Sequence, residues 1–282
     1  MLSKHKWIKI LIIFFFLILS ILLYSRFIET RNIVVKENKV INSDLPNSFY
    51  GFKLVQLSDI HYKTTIGREE LDNIVKKVNK IKPDIIVITG DLLDKDTIYT
   101  DNDINNIIKL LNNINSKHKY IITGDNDLND EFKNIVDKIN FKLLDNTYEI
   151  IYNKDIEPIL VSGLSTISDK INTSEKITEI ENVINKYNVK YNILFVHEPY
   201  IIDDIDYNKF QLILSGHTHS GQINIPIIKD IFMPDKQSIS YNNNYYKKDN
   251  TDLYVSSGLG TSGFKSRLFN KPTINLYRLL NK

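Results

Sequence analysis

Hydrophobic and polar positions are distributed along this chain in two distinct ways. Near the start, "WIKILIIFFFLILSILLYSRF" (Trp7–Phe27) is almost wholly apolar, with no charged residue from Ile10 to Ser25. That approaches the ~20 apolar residues needed to cross a bilayer core. Trp7 and Tyr24 sit where interface aromatics belong. No A-x-A-like cleavage site follows, which favours an anchor over a cleaved signal peptide. Residues 1–27 therefore read as a tail and single membrane-spanning anchor, and residues 28–48 as a polar stalk. The folded domain is expected over residues 49–282. Lys and Arg are balanced on both sides of the anchor. A short basic N-terminus usually stays in the cytoplasm, and a long following domain translocates largely regardless of charge. The expectation is a single-pass cell-membrane protein with an extracytoplasmic domain and a cytoplasmic tail.

Beyond the anchor the pattern alternates. Lys53–Leu57 reads as a short strand ending in polar residues. Leu71, Ile74, Val75 and Val78 have helical spacing, and Pro83 closes that helix. "IIVITGD" has the continuous apolar run of a buried parallel strand. A second helix is expected around Ile104–Ile114, then a strand "YIITGD". The second half is richer in strands: "NTYEIIYN", "EPILVSGL", "YNILFVHEP", "FQLILSGHTH", "DLYVSSGLG" and "TINLYRL". Helices are expected near Ser174–Asn188 and Pro199–Asp206. Such an order predicts two packed sheets with helices outside.

Composition narrows the chemistry. There are no cysteines among the 282 residues, which removes disulfides, thiolate nucleophiles and Cys-ligated metals. Any metal would be held by His, Asp, Glu or Asn, a set suited to Mn, Fe, Zn, Mg or Ni. With 36 basic and 34 acidic residues and no long basic run, no nucleic-acid partner is expected.

Five predicted strands end in acidic or imidazole groups: Asp59 with His61, Asp91, Asp125, His197, and His217 with His219. A lone Asp after a strand is usually a turn or cap residue. Here, however, four of the six histidines gather at strand ends that parallel packing would bring together. The blocks Asp59-Ile60-His61, Gly90-Asp91, Gly124-Asp125-Asn126-Asp127, His197 and Gly216-His217-Thr218-His219 resemble, in order and spacing, those of the calcineurin-like metallophosphoesterases. The later "GLGTSG" followed by "RL" is similar to their membrane-associated branch.

That resemblance implies an α/β fold, a four-layer αββα sandwich of two mixed sheets, here preceded by one N-terminal transmembrane helix. It implies two divalent metal ions. Asp59, His61 and His219 would hold the first, Asp125, His197 and His217 the second, and Asp91 would bridge them. Asp91, Asn126 and Asp127 are the catalytic candidates it implies. Two such ions lower the pKa of a shared water and supply a bridging hydroxide, so no side-chain nucleophile is needed. The expected activity is hydrolysis of a phosphoester or phosphoanhydride. The expected partner is a phosphorylated substrate, including lipid-linked and envelope-associated ones. Histidines at i and i+2 can reach two ions where the chain is twisted or irregular, and glycines allow the backbone close to them.

One block departs from the pattern. Asn126 stands where the family has a histidine, and a carboxamide cannot donate a proton as an acid. Asp125 adds a negative charge. A metal-binding but catalytically weak envelope scaffold or sensor is the rival reading, and the altered block is its support.

Weaker signals are read as structural. Gly258, Gly260 and Gly263 spell G-x-G-x-x-G, but too little chain follows for a dinucleotide unit. Arg267 is either a phosphate clamp or a surface residue. His5 and His118 read as solvated, as do Asp94, Asp96, Asp101 and Asp103. Residues 241–250 read as a polar, aromatic loop.

Overall fold

The computed structural model describes residues 4–167, 173–226 and 228–282. Helix α1 (Lys4–Leu23) is exposed along its length, and residues 5–31 are long and apolar enough to cross a membrane. The rest is built on two six-stranded mixed sheets. The first contains β1 (Val34–Ile41), β2 (Lys53–Leu57), β3 (Ile85–Thr89), β4 (His118–Ile122), β5 (Lys142–Leu143) and β12 (Thr273–Leu280), in the order β1-β12-β2-β3-β4-β5. The second contains β6 (Thr147–Ile151), β7 (Ile159–Gly163), β8 (Tyr191–Phe195), β9 (Leu212–Ser215), β10 (Tyr245–Lys248) and β11 (Thr251–Val255), in the order β10-β11-β9-β8-β7-β6.

The period-2 geometry of strands makes the layers. One face of the first sheet (Leu54, Val87, Ile122) meets one face of the second (Val161, Ile193, Leu214) in a central core. The opposite face (Val55, Leu57, Ile86, Ile88) is covered by α2 (Arg68–Ile81), α3 (Asp101–Asn112) and α4 (Asp130–Val136). Leu160, Leu194 and Ile213 are covered by α5 (Thr173–Tyr187) and a 3₁₀ turn at Pro199–Asp204. This is the expected αββα sandwich. A buried polar tie crosses the central layer: Gln56 Nε2 donates to Thr89 Oγ1 (2.8 Å) and Ser215 O (2.9 Å) and its Oε1 accepts from Tyr277 (2.8 Å). Fully satisfied, it fixes the relative position of the strand ends that carry the site.

Three expectations are corrected. Residues 28–48 are not all stalk, because β1 pairs in parallel with β12 over eight residue pairs and buries Val40. Its alternating face "VVKENKVI" is mostly polar and solvent-exposed, as an edge strand's should be. His118 begins β4 and is half-buried against Glu149. Asp101 and Asp103 open α3, where Thr100 and Asp103 form a reciprocal cap. A chain starting at residue 32 loses the hydrogen bonds that Ser25, Arg26 and Glu29 make to residues 265–270 and should be less stable by only about 1–3 kcal/mol. One starting at residue 43 loses the buried Ile33 and Val40 and should be less stable by roughly 3–6 kcal/mol, measured by urea unfolding.

Candidate metal centre

Strands β2, β3, β4, β8 and β9 are linked by parallel pairing within each sheet, so their C-terminal ends open on one side of the sandwich. The turns that follow carry the seven expected ligands, and their backbone is unusual. Asp59, His61, Asp91, His217 and His219 all have positive φ (50°, 42°, 53°, 64° and 50°). L-residues pay on the order of 1–3 kcal/mol each for this region, and such strain persists only where the surroundings fix it. Here ladder-like bonds do so: Asp59 N–H donates to Gly90 O (3.1 Å), His61 N–H to Asp91 O (3.0 Å) and Gly216 N–H to His197 O (2.9 Å). Gly216 must lack a side chain, since a Cβ there would lie 2.1 Å from Ser58 Oγ and 2.7 Å from Asp59 Oδ2.

This backbone explains how neighbouring histidines serve different places. His217 turns its Nδ1 to Asp125 Oδ1 (3.0 Å), with its ring edge-on to His197. His219 turns the other way and stacks on His61 at 5.4 Å between ring centroids. Two groups of potential ligand atoms result, Asp59–His61–His219 and Asp125–His197–His217, each within 4.8 Å internally. Asp91 joins Asp59 and His197 in a third such group, between the other two. Its Oδ2 is 3.4 Å from both His61 Nε2 and His197 Nε2.

The donor set fits divalent cations on two counts. Asp59 Oδ2, both ring nitrogens of His61 and His219 Nε2 are buried without any hydrogen-bond partner. Each such orphan costs about 1–3 kcal/mol unless something occupies the space between them. His197 gives the second count. Its Nδ1–H donates to Thr89 O (2.9 Å), which leaves Nε2 to face Asp125 Oδ1 (3.1 Å) and Asp91 Oδ2. A ring nitrogen oriented by a carbonyl behind it and directed at carboxylates is the usual arrangement of a ligating histidine.

Without cations, protons must offset the same charges. Burial lowers the His197 pKa, but Asp91 and Asp125 outweigh it and raise the value well above the usual histidine range. His217 is likewise depressed by burial but pushed up to about 9 by Asp125 and Asp235. Burial and the Arg267 charge hold His219 well below the ordinary value. Burial raises the Asp125 carboxyl, and the two histidines more than reverse it, so it stays far below the carboxylate range.

Asn126 and Asp127 separate. The Asn126 carboxamide donates to Asp91 Oδ2 (2.7 Å) and Asp125 Oδ2 (3.3 Å), so it lies on the cluster. Asp127, a catalytic candidate from sequence, faces away. It is buried and accepts N–H groups from Leu92 (3.3 Å), Leu93 (3.0 Å) and Gly124 (3.1 Å). It ties two ligand-bearing turns together. Burial and the neighbouring Asp91 push it up to about 7 against the N–H groups of Leu93 and Gly124.

Other residues have unexpected places. Arg267 is neither surface residue nor phosphate clamp: it is fully buried, donates to Gly260 O (2.6 Å), and its Nη2 lies 3.2 Å from His219 Nδ1. Asp94 is not simply solvated, since Oδ2 stands 3.6 Å from His61 Nδ1. Asp235 was not anticipated. Its Oδ2 accepts from His217 Nε2 (2.9 Å), and Ser238 N and Oγ hold it at 2.8 and 2.9 Å. Nothing in "MPDKQS" beyond a turn signal points to that contact. Asp91, Asp125, Asn126, His217 and Asp235 line a polar cavity of about 410 Å³, with Lys95 and Tyr200 at its sides.

The sequence pattern described as calcineurin-like phosphoesterase matches residues 52–221. The uncharacterized metallophosphoesterase YkuE of Bacillus subtilis is 30% identical over 263 residues, covering 91% of this chain and 88% of that one. A Danio rerio transmembrane protein with metallophosphoesterase domain is 26% identical over 240 residues, 82% of this chain and 53% of its own length. Among solved structures, Thermus thermophilus sulfate thiohydrolase SoxB aligns with a TM-score of 0.50 at 12% identity, covering 84% of this chain and 57% of SoxB; this likeness concerns the fold alone.

Proposed function

This chain belongs to the calcineurin-like phosphoesterase family of metal-dependent hydrolases, and from that premise we propose that it is a membrane-anchored dinuclear phosphoesterase. Its substrate is a phosphoester or phosphoanhydride. Asp59, His61 and His219 would hold one divalent cation and Asp125, His197 and His217 the other, with Asp91 in reach of both groups. The observation that carries this reading is the pair of ligand groups joined through Asp91, with their buried orphan atoms. When bound, two such cations supply Lewis acidity, acidifying a water and neutralising charge on the phosphoryl oxygens.

The protein's own groups do the rest. Thr89 O, Asp235 and the turn backbone hold the ligand imidazoles in orientation. Asn126 holds the Asp91 and Asp125 carboxylates with its carboxamide N–H groups, and it has no acid proton to give the cavity. A leaving group that departs without protonation, such as an aryl oxide or a phosphate, therefore suits the site best. The Lys95 ammonium at the cavity wall attracts an anionic substrate. The long apolar helix supports anchoring in a membrane, where substrates held in or at the same bilayer are within reach, and the short basic N-terminus favours the extracytoplasmic side for the domain.

Purified full-length protein should bind two equivalents of Mn²⁺ and hydrolyse bis-p-nitrophenyl phosphate, and chelator should abolish turnover. One equivalent or less would overturn the dinuclear reading. Metal binding without hydrolysis across aryl and diphosphate substrates would favour the scaffold or sensor reading, which the loss of an acid at Asn126 supports.

A further inference from the structure

The polar cavity over the ligand cluster does not end at the cluster. It meets a second cavity of about 210 Å³, and the two share His217, Pro234 and Ser262. The second cavity is more apolar: beside His219 and Gln222 it is walled by Ile223, Ile231, Phe232, Met233 and Phe264. Phe232 and Phe264 meet edge to face at 5.8 Å and join its two sides. Gln222 pins the 262–264 loop by donating to Phe264 O (2.6 Å) and accepting from Ser262 N–H (3.0 Å). A molecule filling both cavities has a charged phosphoryl group at one end and an apolar body at the other.

The same loop is fastened to the end of the membrane-length helix. Arg267 N–H donates to Ser25 O (3.0 Å), Arg26 Nη1 donates to Lys265 O, and Asn270 N–H donates to Glu29 Oε1 (2.9 Å). Only two residues separate Phe264 from Arg267. The rim of the apolar cavity is thereby held beside the point where the chain leaves the helix. Ile231, Phe264 and Phe269 are 76%, 65% and 71% exposed there, and exposed Lys265 and Lys271 stand beside the two aromatics. Exposed apolar side chains flanked by lysines are the pattern of a surface resting in a headgroup region.

We propose that this apolar groove takes the acyl or alkyl tail of a bilayer amphiphile whose phosphoryl group lies at the metal ligands, entering from the membrane side. The proposal rests on the phosphoesterase reading and adds the substrate class. A sugar phosphate, with no apolar body, would leave the groove unfilled.

The test uses full-length protein in nanodiscs with Mn²⁺ and two probes sharing one leaving group, ethyl and decyl p-nitrophenyl phosphate. The decyl ester should have a kcat/KM at least roughly tenfold higher, as expected for filling an apolar pocket. Ile231→Asn combined with Phe264→Ser should reduce that decyl-to-ethyl ratio about fivefold or more. Both side chains are largely exposed, so the core stays intact. Partition into the bilayer raises the decyl rate of both proteins alike, so the change in ratio reports the groove. An unchanged ratio overturns the proposal. Failure to hydrolyse either ester sinks the phosphoesterase reading instead. The groove is then judged by photolabelling with a diazirine-acyl phosphatidic acid in the nanodisc. Adducts on residues 231–234 and 262–264 sustain it, and adducts confined to α1 refute it.

Discussion

Asp91→Asn is expected to lower metal-dependent hydrolysis by at least about 10³-fold while the metal-free protein stays folded. Loss of an outer partner of a metal ligand typically costs ~10–100-fold, and Asp91 stands in reach of both ligand groups. The substitution keeps the shape and removes a charge. It also places an NH₂ where either Asn126 N–H (2.9 Å to Oδ1) or Asn126 Nδ2 (2.7 Å to Oδ2) now donates, so a donor meets a donor. Apo stability should fall modestly, because burial alone would raise the Asp91 carboxyl but His197 and His61 hold it below its ordinary value, so its ionised form favours the fold. Binding to the native state stabilises by RT ln(1 + [L]/Kd), about 4 kcal/mol at a thousandfold excess over Kd. Mn²⁺ should therefore raise the Tm of the wild type and leave that of the variant nearly unchanged. Retained activity, or an equal Mn²⁺ shift in both proteins, would refute the shared-ligand role.

Much of this centre was legible in the sequence because two local rules coincide. Continuous apolar runs such as "IIVITGD" mark parallel strands buried on both faces, and the residues just after them gather at one sheet edge. Those two rules place Asp59, His61, Asp91, Asp125, His197, His217 and His219 at that edge. The hidden parts depend on tertiary contacts. Strand β1 reads as stalk because an edge strand keeps its polar alternation, and its partner β12 lies over two hundred residues away. Arg267 carries a charge, and only tertiary partners, the carbonyls of Gly260 and Asn270 and the carboxylates of Asp59 and Glu29, explain why it is buried. Asp127 and Asn126 are adjacent in sequence, yet one faces the backbone of Leu92 and Leu93 and the other faces Asp91. Neighbouring residues in an irregular turn have no periodicity from which direction can be read.

Asn126→His carries the largest expected gain. The asparagine is buried at the cavity wall, with its carboxamide on Asp91 and Asp125 and its Oδ1 at 3.4 Å from Lys95 N. It can steady the carboxylates but has no proton to give an alkoxide. A positioned general acid contributes ~10²–10⁴-fold, and a newly installed one captures only part of that. Turnover of an alkyl phosphoester should therefore rise roughly 10–100-fold. Turnover of a p-nitrophenyl ester, whose leaving group needs no proton, should change little. The ratio of the two rates separates acid catalysis from a general change in binding. A second reading comes from pH: an imidazole acting as acid loses its proton near ~6.5 in the absence of shifts, so the alkyl rate should acquire a descending limb on the alkaline side. Metal content measured alongside keeps a loss of cations from being mistaken for a failure of catalysis. If the fully metallated variant hydrolyses the alkyl ester no faster than the wild type, position 126 is not where a leaving group receives its proton, and the acid must be sought among the other cavity-lining groups, with Lys95 and Tyr200 the first to test.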